Sequence, residues 1–174
     1  MLVKPFAVFK SFDLKITDLS SIAKIFAQHT QNSDLLLLTG RVGSGKTEFA
    51  RLLIKAKAIQ ENATIEQVSS PTFSLVQSYE FQHCKIAHID LYRVNSELEL
   101  FELGIPDIFD SQITLLEWPE ILEIKNMPRY VTIKIKETKK LTDCRDLKIE
   151  FFGKSWDALR RALLESRHFS IERK

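Results

Sequence analysis

The sequence predicts an α/β protein with three layers, in which helices flank a mixed sheet that has a parallel core and additional antiparallel strands. Three observations predict this fold. An aliphatic run at 35–38 leads through a glycine-rich loop into a helical pattern, which is half of a βαβ unit. Apolar runs at 86–89 and 113–116 are each followed directly by an acidic residue. This is typical of parallel strands, whose carboxyl ends carry the ligand-binding residues of open α/β sheets. Segments at 74–81 and 130–135 alternate between apolar and polar residues, which is typical of antiparallel strands.

Length and composition favour a single globular domain over residues 1–174. An apolar share of 44% and a charged share of 28% exclude disordered and fibrous proteins. The 25 basic and 23 acidic residues leave a net charge of +2, too small to make nucleic acid the main ligand on electrostatic grounds. Cys84 and Cys144 lack metal-ligand spacing, so we predict free thiols. We find no secretion signal and no apolar run of membrane length, so we expect a cytoplasmic protein without membrane association.

The N-terminal third predicts two strands and two helices. Residues 7–16 alternate loosely and predict a strand, after which Thr17 or Asp18 caps a helix. The buried strand 35–38 and a helix from 46 to 58 follow. Apolar residues recur at helical spacing in both helices, namely Leu19, Ile22, Ala23, Ile25 and Phe26 in the first and Phe49, Leu52 and Leu53 in the second.

Most of the predicted sheet follows residue 73. Pro71 biases the preceding residue toward an extended conformation, so the hydroxyl-rich segment 69–73 is predicted to be a loop. Strands are predicted at 74–81, 85–89, 113–116, 130–135 and 147–152. The first two form an antiparallel hairpin in this interpretation, and the last two form an antiparallel pair separated by the charged turn 136–146.

Two shorter helices complete the predicted fold. Ser96 and Glu99 have the spacing of a capping box, which opens a short helix that runs to Leu103 and stops at Gly104. Ser155 caps a final amphipathic helix. The apolar residues of that helix are Trp156, Leu159, Leu163 and Leu164.

The segment 40–47 matches the phosphate-binding pattern G-x-x-x-x-G-K-[ST] in full. Glycines let backbone N–H groups turn toward an anion, and the N-terminus of the following helix adds partial positive charge. Lys46 can neutralise the β- and γ-phosphates, and Thr47 can offer its hydroxyl to Mg²⁺. The sequence therefore predicts a P-loop NTPase-like fold that binds a nucleoside triphosphate with Mg²⁺. The predicted nucleotide-binding residues are Gly40, Arg41, Val42, Gly43, Ser44, Gly45, Lys46 and Thr47.

Two acidic residues at predicted strand ends are candidates for metal and water chemistry. Glu117 follows 113–116, the position of a Walker B acid, and we favour it for the metal, directly or through water. Asp90 follows 86–89 as the second acid, for a metal-bound water or the attacking water, although the two roles could be exchanged. Thr72 lies in a loop that could close on the γ-phosphate and Mg²⁺, as switch loops do. The candidate catalytic residues are thus Lys46, Thr72, Asp90 and Glu117, and the candidate metal ligands are Thr47, Asp90 and Glu117.

Three neighbouring side chains have weaker functional signals. His88 lies on a predicted strand, where a lone histidine is more often structural than catalytic. Trp118 packs near the nucleotide, meets a partner or serves as a buried anchor. Arg93 pairs with Asp90 or Glu97 in one interpretation and faces phosphate or RNA in another.

Four separated motifs resemble, in order and approximate spacing, those of the TsaE family. They are Gly-Arg-Val-Gly-Ser-Gly-Lys-Thr at 40–47, Ser-Pro-Thr-Phe-Ser-Leu-Val at 70–76, His-Ile-Asp-Leu-Tyr-Arg at 88–93 and Glu-Trp-Pro-Glu at 117–120. A P-loop alone is common to many NTPases, whereas the other three motifs together are specific. The resemblance covers residues 14–135 and matches the C-terminal third only loosely.

The resemblance implies a small bacterial ATPase that assists the synthesis of threonylcarbamoyladenosine in tRNA. It implies ATP and Mg²⁺ as cofactors and the TsaB–TsaD pair as partner, with an ATP cycle that supports turnover of that complex and only indirect or weak contact with tRNA. By motif matching, Lys46 and Thr47 would hold phosphate and Mg²⁺. Thr72 would belong to a switch-like loop, with Asp90 and Glu117 as the functional acids.

Two other classes of function share the P-loop. A small-molecule kinase would need an acceptor pocket with a lid, often rich in arginine, and no arginine occurs between residues 97 and 121. A nucleotide-dependent binding module would bind ATP but turn it over too slowly to matter alone. A GTPase is disfavoured, because the string nearest to the guanine-binding pattern [NT]-K-x-D, at 138–141, lacks the acid.

Overall fold

The computed structural model describes residues 4–102, 104–122, 127, 129–138, 143–166 and 168–171. Within these residues the chain forms one eight-stranded sheet. The strands are β1 (Ala7–Leu14), β2 (Leu35–Thr39), β3 (Val76–Glu80), β4 (Lys85–Asp90), β5 (Ile113–Glu117), β6 (Tyr130–Glu137), β7 (Arg145–Phe152) and β8 (Ser170–Ile171). Their order across the sheet is β3-β4-β5-β2-β6-β7-β1-β8.

The sheet is mixed, as the sequence predicts. Its centre is parallel, since β4 pairs with β5, β5 with β2 and β2 with β6 in the same direction. β3 and β4 form the predicted antiparallel hairpin, and β6, β7 and β1 are joined by antiparallel pairing. The carboxyl ends of four parallel strands therefore meet at one edge, which is where open α/β sheets bind their ligands.

Helices cover both faces of the sheet. They are α1 (Ile16–His29), α2 (Lys46–Gln60), α3 (Glu97–Glu102), α4 (Ile105–Ser111) and α5 (Asp157–Glu165), with a short 3-10 helix at Pro119–Ile121. Residues of α1, α2 and α5 join one hydrophobic core, and residues of α3 and α4 join a second core. This arrangement is the predicted three-layer α/β fold. None of the described helices is long and apolar enough to cross a membrane.

Strand β2 lies between the two cores. Leu36 and Leu38 belong to the first core, and Leu35 and Leu37 belong to the second. Because both faces of the strand are covered, its sequence is an unbroken aliphatic run and does not alternate. Each buried leucine contributes roughly 1.5–3 kcal/mol of transfer free energy. The loop that follows β2 is therefore anchored on a rigid strand.

The helix caps differ from the predictions. Helix α1 begins one residue before Thr17, so the prediction of Thr17 or Asp18 as its N-cap is wrong. Lys15 holds that position and donates its backbone N–H to Oδ2 of Asp18 at 2.8 Å, so the aspartate satisfies the helix end from inside the first turn. Ser155 does not cap α5 either, because Trp156 holds the N-cap position and Ser155 has a left-handed φ of 70°.

The predicted capping box at α3 is half formed. Glu99 donates its backbone N–H to Oγ of Ser96 at 3.4 Å, but its carboxylate accepts a hydrogen bond from the backbone N–H of Asn95 and not from that of Ser96. Leu103, the predicted last residue of this helix, lies outside the described residues. Gly104 leads directly into α4 with a φ of 66°. Helix α4 and the two-residue strand β8 are not predicted from the sequence, because both are too short to show a clear periodicity.

The two cysteines are part of the packed interior. Cys84 and Cys144 are both buried and free, as predicted. Burial raises the pKa of the Cys84 thiol above its ordinary value, so the reactive thiolate is disfavoured there.

Candidate nucleotide-binding site

The loop and the two acidic residues lie side by side at the carboxyl edge of the parallel strands. The register pairs Leu38 of β2 with Glu117 of β5, and Glu117 with Asp90 of β4. Glu117 is 2% exposed, Asp90 3% and Lys46 4%. Buried charges of opposite sign need one another, because an isolated buried charge is costly. The two carboxylates are therefore not solvated strand ends but parts of one charged cluster.

The loop between β2 and α2 requires glycine at its first position. Gly40 has a φ of 143°, and a Cβ on it would lie 2.3 Å from the carbonyl oxygen of Ile135 and 2.7 Å from Oγ of Ser44. No side chain fits against that backbone carbonyl. Ser44 is buried, whereas Arg41 and Val42 at the tip are exposed. The close approach of Gly40 to the backbone of β6 thus fixes the position of the loop relative to the sheet.

Lys46 is held inside the loop. Its Nζ donates to the carbonyl oxygens of Gly40 at 3.0 Å and Arg41 at 3.1 Å, and it lies 3.8 Å from the ring centroid of Trp118. Burial lowers the pKa of Lys46, and the nearby carboxylates of Glu117 and Asp90 act in the opposite direction. The ammonium group is thus placed between the loop and the two acids, where a phosphate could replace the carbonyl oxygens.

Glu117 connects the first turn of α2 with strand β4. Thr47 donates its hydroxyl to Oε2 of Glu117 at 3.0 Å, and Nε2 of His88 lies 2.9 Å from Oε1 of the same carboxylate. His88 is fully buried. The sequence predicts a mainly structural role for His88. Nothing in the local pattern shows that His88 meets Glu117, because the contact depends on the pairing of β4 with β5.

Asp90 binds the loop that precedes β3. Its Oδ2 accepts the hydroxyl of Thr72 at 2.8 Å, and its Oδ1 accepts the backbone N–H of Tyr92 at 2.9 Å. The hydroxyl of Ser70 lies 3.0 Å from that of Thr72. The structure therefore brings the Ser-Pro-Thr segment to the site, although its hydroxyl contacts an acid and not Lys46 or Thr47.

Aromatic side chains lie on one side of the charged cluster, where Trp118 contacts Lys46. Trp118 has a left-handed φ of 57°, unusual for a bulky residue, and its ring centroid lies 5.0 Å from that of Tyr92. Arg93 lies with its guanidinium 4.6 Å from the ring centroid of Phe73. Of its two predicted acidic partners, Asp90 has both oxygens engaged by other groups, and the side chain of Glu97 lies outside the described residues. Backbone strain of this kind at Trp118 is typical of functional sites.

Arg145 contacts the loop, and the sequence does not predict this contact. This residue begins β7, and its Nε donates to the backbone carbonyl oxygen of Ser44 at 2.8 Å. The same Nε lies 3.7 Å from the place where a Cβ on Gly45 would be. Arg145 thus fastens the loop from the antiparallel half of the sheet. The two residues are 101 positions apart, and no motif connects them.

The residues present fit Mg²⁺ bound together with a phosphate. Among the described residues no group of three or more His, Cys, Asp or Glu side chains is placed to hold a metal on its own. Mg²⁺ sites in nucleotide-binding proteins need only one or two carboxylates, because phosphate oxygens and waters supply the other ligands. The Thr47 hydroxyl and the Glu117 carboxylate, 3.0 Å apart beside Lys46, provide such a partial ligand set.

Fold and site together define a protein of the P-loop NTPase-like class. The family model for "Threonylcarbamoyl adenosine biosynthesis protein TsaE" matches residues 15–146, and the chain belongs to this TsaE family. The match spans the loop, both acids, Thr72 and the Arg145 contact.

Individual relatives agree with this membership. The chain is similar to the tRNA threonylcarbamoyladenosine biosynthesis protein TsaE of Bacillus subtilis, with 31% identity over 153 residues that cover 87% of this chain and 89% of the relative. It is 36% identical over 116 residues to the protein of the same name from Rickettsia typhi, covering 67% of this chain and 78% of the relative. The crystal structure of Bacillus subtilis YdiB has the same fold, with a TM-score of 0.67 at 23% identity, over 95% of this chain and 97% of that one.

Proposed function

We propose that this protein binds ATP with Mg²⁺ and hydrolyses it as the nucleotide-driven component of tRNA threonylcarbamoyladenosine biosynthesis. In this role its ATP cycle supports repeated turnover of a TsaB–TsaD complex. The observation that carries the proposal is the contact of the Thr47 hydroxyl with the buried Glu117 carboxylate at 3.0 Å, next to a P-loop lysine. The names of the TsaE relatives supply the pathway.

Phosphate binding is supported by three groups at one point. The backbone N–H groups of the loop and the N-terminus of α2, which begins at Lys46, both favour an anion. The Lys46 ammonium adds a full charge. In the structure Nζ donates to two loop carbonyls, at 3.0 Å and 3.1 Å. A triphosphate would exchange these neutral acceptors for charged oxygens, which form stronger hydrogen bonds.

Mg²⁺ would be held by Thr47 and Glu117, directly or through water. When bound, it neutralises charge on the phosphates and polarises the bond that breaks. Asp90 is the second acid, and its carboxylate can hold a metal-bound water or accept a hydrogen bond from the attacking water. Thr72 contacts Asp90 in the structure, so a movement of the Thr72 loop would release or reposition this carboxylate.

The surface next to the site supports a cycle that a partner protein reads. Phe73 follows Thr72 directly and is 83% exposed, and Tyr92 is 57% exposed. Any movement of the Thr72 loop would therefore change the surface that neighbouring molecules meet. This fits a protein that acts on a TsaB–TsaD pair in the cytoplasm and contacts tRNA indirectly or weakly, with no membrane involved.

Steady-state ATP hydrolysis, measured with and without a purified TsaB–TsaD pair and tRNA, tests the proposal. We expect slow turnover by the isolated chain, stimulation by the pair, and no hydrolysis by Lys46→Ala under either condition. Transfer of phosphate to a small acceptor would instead favour a kinase. If the wild-type chain neither binds ATP with Mg²⁺ nor associates with the pair, the proposed function is wrong.

A further inference from the structure

We infer that His88 is a positioning residue that fixes the Glu117 carboxylate with one oxygen toward Thr47. The inference rests on the proposed function, which places Mg²⁺ at Thr47 and Glu117, and goes beyond it by naming the side chain that orients the Glu117 carboxylate. It also assigns a function to His88, which the strand pattern alone predicts to be a structural core residue.

The geometry divides the two oxygens of Glu117 between two partners. Nε2 of His88 lies 2.9 Å from Oε1, and the Thr47 hydroxyl donates to Oε2 at 3.0 Å. A carboxylate only accepts hydrogen bonds, so the proton of the first contact lies on Nε2 of the imidazole. Rotation of the carboxylate would break both contacts at once. Glu117 is thus held in one orientation before any ligand arrives.

Burial makes this contact a strong constraint. His88 is fully buried and Glu117 is 2% exposed, so water cannot replace the imidazole as a partner of Oε1. Nδ1 of His88 has no hydrogen-bond partner among the described residues, so within these residues the Glu117 carboxylate is the polar group that orients the ring. An unsatisfied buried polar atom costs free energy, so an imidazole with a free Nδ1 is an unfavourable core side chain unless its other nitrogen has a role.

Asp90 is held in a different way. Both its oxygens accept hydrogen bonds, from the Thr72 hydroxyl and from the backbone N–H of Tyr92, and no buried side chain among the described residues orients it from below. Its partner Thr72 lies on a loop and not on a helix. Asp90 is therefore free to change partners when the loop moves, which suits an acid that handles water.

When a side chain that hydrogen-bonds to a metal ligand is removed, metal affinity or activity typically falls about 10- to 100-fold. The His88 contact should have the same effect on Mg²⁺. Without the His88 contact, the Glu117 carboxylate becomes ordered only when the metal binds. The free energy of ordering the carboxylate then weakens the binding of Mg²⁺ with nucleotide. Binding of nucleotide without metal depends on the loop and Lys46, and should not change.

The test compares three substitutions. His88→Gln keeps an amide N–H that reaches the place of Nε2, His88→Leu removes the donor, and His88→Asn is polar but too short to reach Glu117. Thr114→Val is the matched control, because Thr114 is also fully buried in the neighbouring strand and its hydroxyl has no partner among the described residues. Far-ultraviolet circular dichroism and thermal melting check that each variant is folded.

The measurement is the Mg²⁺ concentration that half-saturates binding of a non-hydrolysable ATP analogue, with binding in EDTA as a second readout. We expect His88→Leu and His88→Asn to raise that concentration about 10- to 100-fold. His88→Gln and Thr114→Val should stay near wild type, and all variants should bind equally in EDTA. Should His88→Leu fail to fold, His88→Asn decides the question.

Two outcomes overturn the inference, and they are distinguishable from failure of the proposed function. If wild type binds with Mg²⁺ and folded His88→Leu or His88→Asn needs the same Mg²⁺ concentration, His88 does not position the metal acid. If binding falls equally with and without metal, and His88→Gln does not restore it, the role is purely structural. If wild-type binding ignores Mg²⁺ altogether, the proposed function fails first and this inference with it.

Discussion

The two hydroxyl–carboxylate pairs of the site have similar chemistry but different supports. Thr47 and Glu117 lie at the start of α2 and the end of β5, and His88 backs them from β4. Thr72 and Asp90 join the end of β4 to a loop, and the residue after Thr72 is 83% exposed. The first pair is built on regular elements on both sides, whereas the second pair has a loop on one side.

This difference assigns different work to the two pairs. A metal ligand must be in place before the ligand arrives, which a rigid support provides at no ordering cost. Under the proposed function, a group that responds to the phosphate exchanges hydrogen-bond partners during the ATP cycle, which a loop allows. We therefore expect substitutions at the first pair to change metal dependence, and substitutions at the second to change turnover.

The largest effect should come from Lys46, whose charge lies close to both acids. Lys46→Ala removes the ammonium that phosphate needs and leaves Glu117 and Asp90 without their shared cation. We expect loss of nucleotide binding and of turnover, measured by calorimetry and by phosphate release. Lys55→Ala, an exposed lysine on the same helix, is the control and should behave as wild type. Retained turnover in Lys46→Ala would contradict a phosphate-binding role for the loop.

Thr47 tests the rigid pair from its hydroxyl side. Thr47→Ala removes the donor to Glu117, and we expect turnover to fall about 100-fold with a higher Mg²⁺ requirement, because one preorganised contact is lost. Thr47→Ser keeps the hydroxyl and should retain most activity. Phosphate release measured across a range of Mg²⁺ concentrations separates the two effects. Equal losses in both variants would mean that packing of the methyl group, and not the hydroxyl, matters.

Thr72 tests the adjustable pair. Thr72→Ala removes the hydroxyl that Asp90 accepts, and we expect about a tenfold fall in kcat with little change in Mg²⁺ requirement or in thermal stability, since the residue lies in a loop. Thr72→Ser should restore the rate. Steady-state kinetics at several ATP concentrations distinguish a change in kcat from one in KM. A shift in Mg²⁺ requirement as large as that of Thr47→Ala would erase the distinction between the pairs.

Arg145 should give the smallest effect. Arg145→Ala removes the hydrogen bond to the Ser44 carbonyl together with the bond from Nη1 to the Cys144 carbonyl, and we expect at most about a tenfold loss of nucleotide affinity. Arg145→Lys can still donate to the Ser44 carbonyl and should lose less. Isothermal titration with a non-hydrolysable ATP analogue measures the difference. An Arg145→Ala affinity equal to wild type would show that β7 does not help to fix the loop.

Much of the site could be predicted because its residues sit in local patterns. The loop glycines, Lys46 and Thr47 form a contiguous motif, and Glu117 and Asp90 each follow an apolar run. The contacts of His88 and Arg145 could not be predicted, because they join residues 29 and 101 positions apart. Such contacts depend on which strands pair and in which register. A single sequence does not determine either of these.

The fold shows the same division. For strands with strong alternation or continuous apolar character, the predicted bounds agree with the observed bounds to within a few residues. The three-layer arrangement is also predicted correctly. The predicted N-cap of α1 is wrong because Asp18, inside the first turn, accepts a hydrogen bond from the backbone N–H of Lys15. An acidic side chain in the first turn can therefore replace a capping side chain in front of the helix. Helix α4 was missed because its seven residues are too few to show a helical period.

The most direct test of the difference between the two acids is a Mg²⁺ titration of Glu117→Gln and Asp90→Asn, side by side, with a non-hydrolysable ATP analogue. Both substitutions keep shape and remove charge. We expect the half-saturating Mg²⁺ concentration to rise more than about tenfold in Glu117→Gln. In Asp90→Asn it should stay close to wild type while ATP turnover falls. Equal shifts in the two variants, or a larger shift in Asp90→Asn, would contradict the assignment of Glu117 to the metal.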